Sequence, residues 1–295
     1  MRVGKLLTAV AASAIILAGC TQTDTTTPVT PAPPETEDAP DPDEPAEDDV
    51  AIAVFFVRSA PDRFYVEPEF QPGGDPNLGP VAAATEALTR LFDASAPASP
   101  HAPNDPELFT SVPEGASVNA VTLDGDTTVI DLSGFAGTSG ASAQESTLLL
   151  QIAHTATYQT GTQNVKLLFD GAELDELWGH FDTSDTFEVS VFDLSPVTIE
   201  TPEYGAQVDT GEVTFAGEAL VFEATVEIVL VNVDSGATAH TGFVNATQGG
   251  PERGTWEFTF TFNTPGTYML TASETDPSDG EGRPVFSATR TVTVN

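Results

Sequence analysis

The sequence predicts an α+β protein in which a small β-α-β-β-α-β sandwich domain precedes an all-β immunoglobulin-like sandwich. In the first half, apolar strand-forming runs alternate with two segments of helical periodicity, which is typical of helices packed on one face of a sheet. In the second half the helical period disappears, and short alternating segments are separated by turns rich in glycine, proline and aspartate. A length of 295 residues suits about two domains of ~150 residues each.

The first domain is assigned to residues 50–182, and each of its elements has a local signal. The apolar run 51–57 predicts a buried strand, and a loop of proline, glycine and aspartate follows it. A helix begins at Pro80, because proline is favoured at the first helical position, and continues to Phe92. The later elements are predicted as two strands at 116–123 and 127–132, a helix that begins at Ser142, and a strand at 165–169.

Two short motifs set boundaries between these elements. Asp124-Gly125-Asp126 predicts a hairpin turn between the two strands, since Asp-Gly suits a tight turn with positive φ. Ser142-Ala143-Gln144-Glu145 matches a capping box, in which the serine caps the helix and the glutamate bonds back to it. The sequence therefore predicts a side-chain cap at the start of the second helix.

The second domain is assigned to residues 197–295, after a junction at 183–196 whose aromatic residues predict a strand or a packed linker. Its clearest strand contains Trp256, a predicted core residue, because aromatic side chains alternate there with glutamate and threonine. Tyr268 follows a Pro-Gly turn and is similar to the tyrosine that such sandwiches place against the backbone. The seven predicted strands lie at 197–200, 211–217, 225–233, 238–244, 256–262, 267–275 and 285–294.

Residues 1–19 have the pattern of a bacterial lipoprotein signal peptide. Two basic residues precede an apolar segment of roughly a dozen residues, which is too short to span the ~30 Å core of a membrane. Leu17-Ala18-Gly19-Cys20 then resembles a lipobox, which predicts cleavage before Cys20 and lipidation of this thiol, the only cysteine of the chain. The alternative is an ordinary secretory peptide that ends near a cysteine. We expect a lipid-anchored protein on the extracytoplasmic face of the cell membrane.

The chain is strongly acidic, with 45 Asp and Glu against 9 Lys and Arg and a formal net charge of −36. Such a surface repels nucleic acid and gains nothing from anionic lipid headgroups. Residues 20–49 are predicted to be a disordered tether, because proline, threonine and carboxylates leave little apolar surface to bury. Three explanations of the acidity stay open, namely saline surroundings, alkaline surroundings and a general property of exported proteins.

The succession of elements resembles a known pair of bacterial domains. Residues 51–180 are similar to the GerMN domain of the spore-germination protein M family, through Val112-Pro113-Glu114-Gly115 and Val129-Ile130-Asp131-Leu132-Ser133. Residues 197–294 resemble the immunoglobulin-like domain that often follows it, through Thr201-Pro202-Glu203-Tyr204-Gly205. The resemblance implies an envelope protein that binds partners outside the membrane. It does not imply spores, because related domains occur in envelope lipoproteins of bacteria that form none.

No catalytic or cofactor-binding pattern is recognised, so we expect a non-enzymatic protein without a cofactor. The four histidines lack the spacing of metal ligands, and no Gly-x-Ser-x-Gly or Ser-x-x-Lys motif occurs. Asp276, Asp279 and Glu281 are weak calcium candidates, because they surround a turn but lack the complete twelve-residue calcium loop. Asp124 and Asp126 are explained by their hairpin turn.

The leading hypothesis is binding of an unidentified envelope protein or of the cell wall, in envelope assembly or in a process of the sporulation or germination type. The candidate binding residues are Trp178, His180 and Phe181, with the loop 94–104 as a second candidate, because loops and surface aromatics commonly carry binding. The alternative is that Trp178 and Phe181 only cover the edge of a sheet. A cell-wall-active hydrolase or accessory factor and a ligand-binding receptor lipoprotein remain as other classes.

Overall fold

A computed structural model describes residues 50–61, 63–276 and 285–295. These residues fall within one compact unit, Ala46–Asn295. The predicted lipobox with Cys20 lies outside the described residues, as do Asp279 and Glu281. In the part of the chain that the structure describes, no helix combines the length and the apolar character needed to cross a membrane.

The first lobe contains two sheets and two helices. One sheet has the order β2-β1-β3, and the other has the order β4-β5-β6-β7. Strands β5 and β6 are parallel, which is possible because helix α2 forms the long crossover between them. The elements in chain order are β1 (Val50–Ser59), β2 (Phe64–Gly74), α1 (Pro80–Asp93), β3 (Leu108–Phe109), β4 (Ser117–Asp124), β5 (Thr127–Ser133), α2 (Ser142–Thr160), β6 (Asn164–Phe169) and β7 (Phe187–Glu188).

Both helices contact strands of both sheets, and together they enclose the first core. On α1 the residues Ala84, Leu88 and Leu91 are buried at helical spacing, and on α2 Leu148 and Ile152 do the same. The predicted hairpin is present, with Gly125 at φ 63° in its turn. The predicted α+β class is confirmed, and the structure adds the strands β2 and β3; β7 lies in the junction 183–196, for which the sequence predicts a strand or a packed linker.

Strand β2 occupies a segment for which the sequence predicts a loop. Its prolines are tolerated because β2 is the edge strand of its sheet, where a missing backbone N–H costs no ladder bond. Buried polar side chains obscure its pattern: Glu67 and Gln71 are 2% and 5% exposed. Their partners, Arg58 and the His101 carbonyl, belong to other segments of the chain, so local periodicity does not reveal this strand.

The predicted capping box is wrong. The N-cap of α2 is Ala141, and its side chain makes no capping bond. Glu145 lies on the buried side of the helix and bonds to a distant loop instead of to the helix start. A capping motif and a buried anchor place a glutamate at the same position, so the sequence pattern alone does not separate them.

The second lobe is a sandwich of a five-stranded sheet, β11-β10-β13-β14-β8, and a two-stranded sheet, β12-β9. The predicted strand 197–200 is not a regular strand, but it joins β9 through one isolated bridge, at Val197, and through backbone hydrogen bonds. Side chains between the sheets form a second core that includes Phe215, Ile228 and Trp256. The strands are β8 (Gln207–Val208), β9 (Gly211–Ala219), β10 (Thr225–Asn232), β11 (Ala237–Asn245), β12 (Gly254–Phe262), β13 (Gly266–Glu274) and β14 (Ser287–Val294).

Two aromatic residues of this lobe take the positions that the sequence predicts. Trp256 is 2% exposed, and its Nε1 donates to the Thr198 carbonyl at 3.1 Å. The Tyr268 hydroxyl donates to the Thr264 carbonyl at 3.1 Å, which fastens the turn before β13. Both bonds satisfy a polar tip whose ring is buried in the sandwich core.

The junction between the lobes is a packed linker. The Ser195 N–H donates to the Val66 carbonyl at 3.1 Å, so the junction extends along β2. The 3₁₀ helix Val191–Asp193 lies against α2, where His154 Nε2 is 3.3 Å from Asp193 Oδ2. Tyr65 of β2 packs edge-on against Phe286 of the second lobe, with 5.4 Å between ring centroids. The two lobes therefore share a seam.

Candidate partner-binding site

The predicted binding residues Trp178, His180 and Phe181 lie in one loop, residues 170–186, between β6 and β7. The loop closes on itself through Thr183, whose N–H donates to the Asp175 carbonyl at 2.9 Å. The Thr183 hydroxyl also donates to the Leu174 carbonyl at 2.6 Å, and Thr183 is 1% exposed. A rigid loop loses less entropy on binding than a mobile one, so this construction suits recognition.

Glu145 of α2 fastens the loop to the core. Its side chain is fully buried, and a buried carboxylate is costly unless its oxygens are bonded. One oxygen accepts the Trp178 backbone N–H at 3.2 Å, and the other lies 2.7 Å from His180 Nδ1. Glu145 therefore holds the backbone at Trp178 and the ring of His180 at the same time.

Trp178 is an anchor rather than an open contact surface. Its ring is half-buried, packs against the first core, and leaves no room for a side chain at Gly140. Its Nε1 donates to the Thr138 hydroxyl at 3.0 Å. Phe181 is 39% exposed and the His180 side chain is 36% exposed. The loop thus packs one aromatic ring, Trp178, against the core and presents another, Phe181, to solvent.

The loop that carries the exposed ring of Phe181 is rich in acidic residues. Asp182 stays ionised, because hydrogen bonds from the hydroxyl and the backbone N–H of Ser184 hold the pKa of its carboxyl below the ordinary value. The nearby cation is Lys166 of β6, whose Nζ lies 3.1 Å from Glu173. The acidic residues of the loop are Asp170, Glu173, Asp175, Glu176, Asp182 and Asp185.

The second predicted candidate, the loop 94–104, is held by other contacts. The His101 carbonyl accepts a bond from Gln71 at 3.0 Å, and the Asn104 N–H donates to Glu69 at 2.8 Å. Among the described residues, no hydrogen bond joins this segment to the loop 170–186. The structure therefore does not unite the two candidates in one site.

The four histidines form no metal site among the described residues, and the calcium candidates Asp279 and Glu281 lie outside those residues. In the part of the chain that the structure describes, no cluster of three His, Cys, Asp or Glu side chains could hold a metal ion. Asp126 instead accepts a bond from Asn164 at 3.3 Å. His240 stacks on Phe258 with 4.7 Å between centroids. His180 has a carboxylate behind it, but no described hydroxyl or thiol bonds to its ring.

The sequence reasoning missed a charged cluster beside the seam. Arg58 of β1 is 3% exposed and bonds Glu67 at 2.6 Å, Asp105 at 2.8 Å and Glu107 at 2.6 Å. Burial alone lowers the pKa of Arg58, but the charges and hydrogen bonds of Glu67 and Asp105 outweigh it and hold that pKa above its ordinary value. Glu107 also reaches Thr289 of the second lobe at 3.5 Å.

Two seam carboxyls oppose the fold when they are charged. Burial raises the pKa of Glu69, and burial followed by the charge of Glu218 raises the pKa of Glu200. A carboxyl with a raised pKa in the folded state stabilises that state when protonated. The stability that such a carboxyl adds to the fold is fully present below the ordinary carboxyl pKa, and it is lost as the pH rises through the raised pKa of the folded state.

We expect Glu200→Gln to raise the melting temperature of the chain by about 2 °C at pH 8 and to leave it unchanged at pH 4. Glutamine carries no charge but keeps an acceptor for the Thr198 hydroxyl, which donates to Glu200 at 3.2 Å. Calorimetry of Glu203→Gln supplies the control, since Glu203 is exposed and the charge change is equal. Equal gains in the two variants at pH 8 would contradict this reasoning.

Two protein families match the chain. The family Germane, described as sporulation and spore germination, matches residues 53–175. The family Gmad2, described as the immunoglobulin-like domain of bacterial spore germination, matches residues 196–281. No curated protein matches the chain.

Among solved structures, the first GerMN domain of the sporulation protein GerM from Bacillus subtilis is 22% identical over 49% of this chain and 99% of that chain, with a TM-score of 0.37. The tandem GerMN domains of the same protein are 21% identical over 62% of this chain and 57% of that chain, with a TM-score of 0.37. A Clostridium perfringens protein that is provisionally described as a lipoprotein is 19% identical over 48% of this chain and 87% of that chain, with a TM-score of 0.31.

The family matches lie in the order that the sequence predicts and confirm the resemblance found there. The chain therefore contains a GerMN domain, matched by the Germane family, followed by an immunoglobulin-like domain, matched by the Gmad2 family.

Proposed function

We propose that this protein is a lipid-anchored, extracytoplasmic binding protein of a sporulation or germination type of process, and that it holds its partner through the loop 170–186. Both matched families are described by sporulation or spore germination, which supports the process. The observation that carries the binding role is the buried Glu145, which fixes a loop that presents Phe181 to solvent. A side chain that is fully enclosed contributes by holding the loop rather than by meeting a substrate.

The chemistry of the loop favours a basic protein partner. The loop that presents Phe181 contains six acidic residues, and the chain as a whole carries a net charge of −36. Opposite charges on the two partners raise the association rate and fix the orientation of the complex. The buried aromatic ring supplies most of the binding energy and so slows dissociation. We therefore assign to the partner an apolar pocket or groove bordered by lysine or arginine.

We expect Phe181→Ala to lower the yield of partner crosslinks by about tenfold, equivalent to ~1.4 kcal/mol of binding energy. The measurement uses a carbodiimide, which joins carboxylates to amines in intact cells. This chain contains only two lysines, Lys5 and Lys166, so most adducts of its carboxylates must come from a partner. The melting temperature should change by less than about 2 °C, because the ring is partly exposed.

The matched control is Phe222→Ala in the second lobe, where the ring is 64% exposed. This variant should leave the crosslinks unchanged. In contrast, Asp182→Asn should reduce their yield and weaken its dependence on salt, since charge pairing at the rim is screened by ions. Equal losses for Phe181→Ala and Phe222→Ala would place the partner elsewhere. Release of cell-wall fragments by the purified protein would favour the hydrolase class.

The anchor has its own test. Cys20→Ala should abolish incorporation of labelled fatty acid, because it removes the only thiol of the chain. The protein should then leave the membrane fraction or accumulate as the uncleaved precursor. A control with Leu123→Ala, an exposed residue of β4, should incorporate label normally. If the parent chain takes up no fatty acid, the lipoprotein assignment fails while the binding proposal stands.

A further inference from the structure

The outer face of the five-stranded sheet is almost free of charge. Side chains alternate along each strand, so that Ile228, Leu270 and Val292 point into the core and their neighbours point outward. The outward positions of β10, β11, β13 and β14 carry threonine, serine, asparagine and apolar residues, and Glu227 is the single charged side chain among them.

The register places the apolar residues of this face near its middle. Val229 lies between Thr241 of β11 and Thr271 of β13. The next outward row joins Val231 to Met269. Phe243, on the edge strand β11, is 69% exposed. Edge strands are usually guarded by charged side chains or proline, and β11 contains neither.

The charge depletion is local to this sheet. The outward positions of the opposite sheet include Glu212 and Glu218 on β9 and Glu257 on β12. Over the whole chain 45 Asp and Glu stand against 9 Lys and Arg, so carboxylates are by far the commonest charged side chains. The face of the five-stranded sheet is therefore an exception on this molecule, and its lack of charge needs a reason.

We propose that two copies of this chain pair through this face. A symmetric dimer brings one patch against its own copy, so a patch whose charges are all carboxylates meets only carboxylates. In a strongly acidic protein this excludes most surfaces, whereas a face with one carboxylate avoids the repulsion. A basic partner gains nothing here, because the face offers it a single acidic residue. The pairing is independent of the partner assigned to the loop 170–186.

The size of the face sets the strength of the pairing. The three strands that the first lobe does not reach, β10, β11 and β13, at ~4.8 Å spacing and with about nine residues at ~3.3 Å, give an area of roughly 430 Å². A standard stable interface buries about 800 Å² on each partner. The first lobe reaches this face at β14, where Glu107 meets Thr289, and β10, β11 and β13 lie beyond that contact. We therefore expect a weak dimer that high salt strengthens by screening the net charge.

The test places one thiol on the full-length chain in its native membrane. Thr271→Cys puts the thiol in the middle of the face, and Thr259→Cys, on the outer face of β12, is the matched control. The crosslinker is a bis-maleimide with a reach of about 10 Å, the spacing of packed sheets. We expect Thr271→Cys to give at least about fivefold more product at twice the chain mass than Thr259→Cys or the parent chain, whose only thiol is Cys20.

A second pair of substitutions tests the charge argument on the Thr271→Cys background. Thr241→Glu and Thr259→Glu both add a carboxylate at an exposed threonine, so the two substitutions should disturb the fold equally little. Thr241→Glu should reduce the dimer to the background level, and Thr259→Glu should not. Molar salt should increase the dimer, in contrast to the partner crosslinks of the loop. Equal yields for Thr271→Cys and Thr259→Cys, an adduct of another mass, or indifference to Thr241→Glu would overturn the proposal.

Discussion

Arg58→Met is expected to lower the free energy of unfolding by about 3–5 kcal/mol, because it leaves two buried carboxylates without a counter-charge. The side chains of Arg58, Glu67 and Asp105 are 3–4% exposed, and the guanidinium bonds both carboxylates. Methionine replaces the volume of the arginine stem but donates no hydrogen bond. The third partner, Glu107, is 54% exposed, so water can solvate its carboxylate and the loss of its ion pair with Arg58 costs little stability.

Urea unfolding of the purified chain measures this loss, and Arg63→Met is the control with the same change in charge. Arg63 is exposed, and its guanidinium lies over the Tyr65 ring and donates to the Phe192 carbonyl at 2.9 Å. Exposed contacts of this kind contribute ~1 kcal/mol or less. A deficit for Arg58→Met no larger than that of Arg63→Met would show that the buried cluster is not stabilising.

A triple variant separates the burial of charge from the loss of packing. Arg58→Met combined with Glu67→Gln and Asp105→Asn removes the unpaired charges and keeps the side-chain volumes. Most of the lost stability should return, because the penalty arises from the carboxylates left behind. If the triple variant is as unstable as Arg58→Met alone, the cost lies in the packing of the arginine stem.

The distribution of cations explains why the sequence predicted some elements and missed others. The helices α1 and α2, the hairpin and most sandwich strands follow from periodicity, because each buries an apolar stripe of its own sequence. Strand β2 differs, since Arg58 pairs with its Glu67 and Arg90 of α1 bonds the carbonyls of Gln71, Pro72 and Gly73. These partners come from other elements, so only the tertiary structure makes a buried strand of this segment.

The candidate site was also predicted in part from the sequence and missed in part. Composition singled out Trp178, His180 and Phe181, because aromatic residues stand out in an acidic loop. Their different roles depend on Glu145, which the capping pattern assigned to the helix start. One signal was available, since Glu145 precedes Leu148 and Leu149 by three and four residues and so continues the buried stripe of α2. A carboxylate on such a stripe indicates a fixed partner.

Gly140→Ala is expected to release the loop 170–186 and to lower partner crosslinking at least as strongly as Phe181→Ala. A Cβ at Gly140 would lie 2.5 Å from Cε3 of the Trp178 ring, closer than any ordinary contact. The ring has to move, which breaks its bond to Thr138 and pulls the backbone away from Glu145. Overpacking of this kind costs typically 1–3 kcal/mol, so we expect a moderate loss of stability as well.

Tryptophan fluorescence reports the release directly, because the chain has only two tryptophans and Trp256 is 2% exposed. Iodide quenching should rise in Gly140→Ala through Trp178, while the signal of Trp256 stays constant. Gly79→Ala is the matched control: Gly79 also adjoins the start of a helix, and a Cβ there meets nothing within 4 Å. Gly140→Ala with parental quenching and parental crosslinking would refute the anchoring of the loop. Increased quenching with undiminished crosslinking would instead separate the anchor from the binding surface and remove the loop from the partner site.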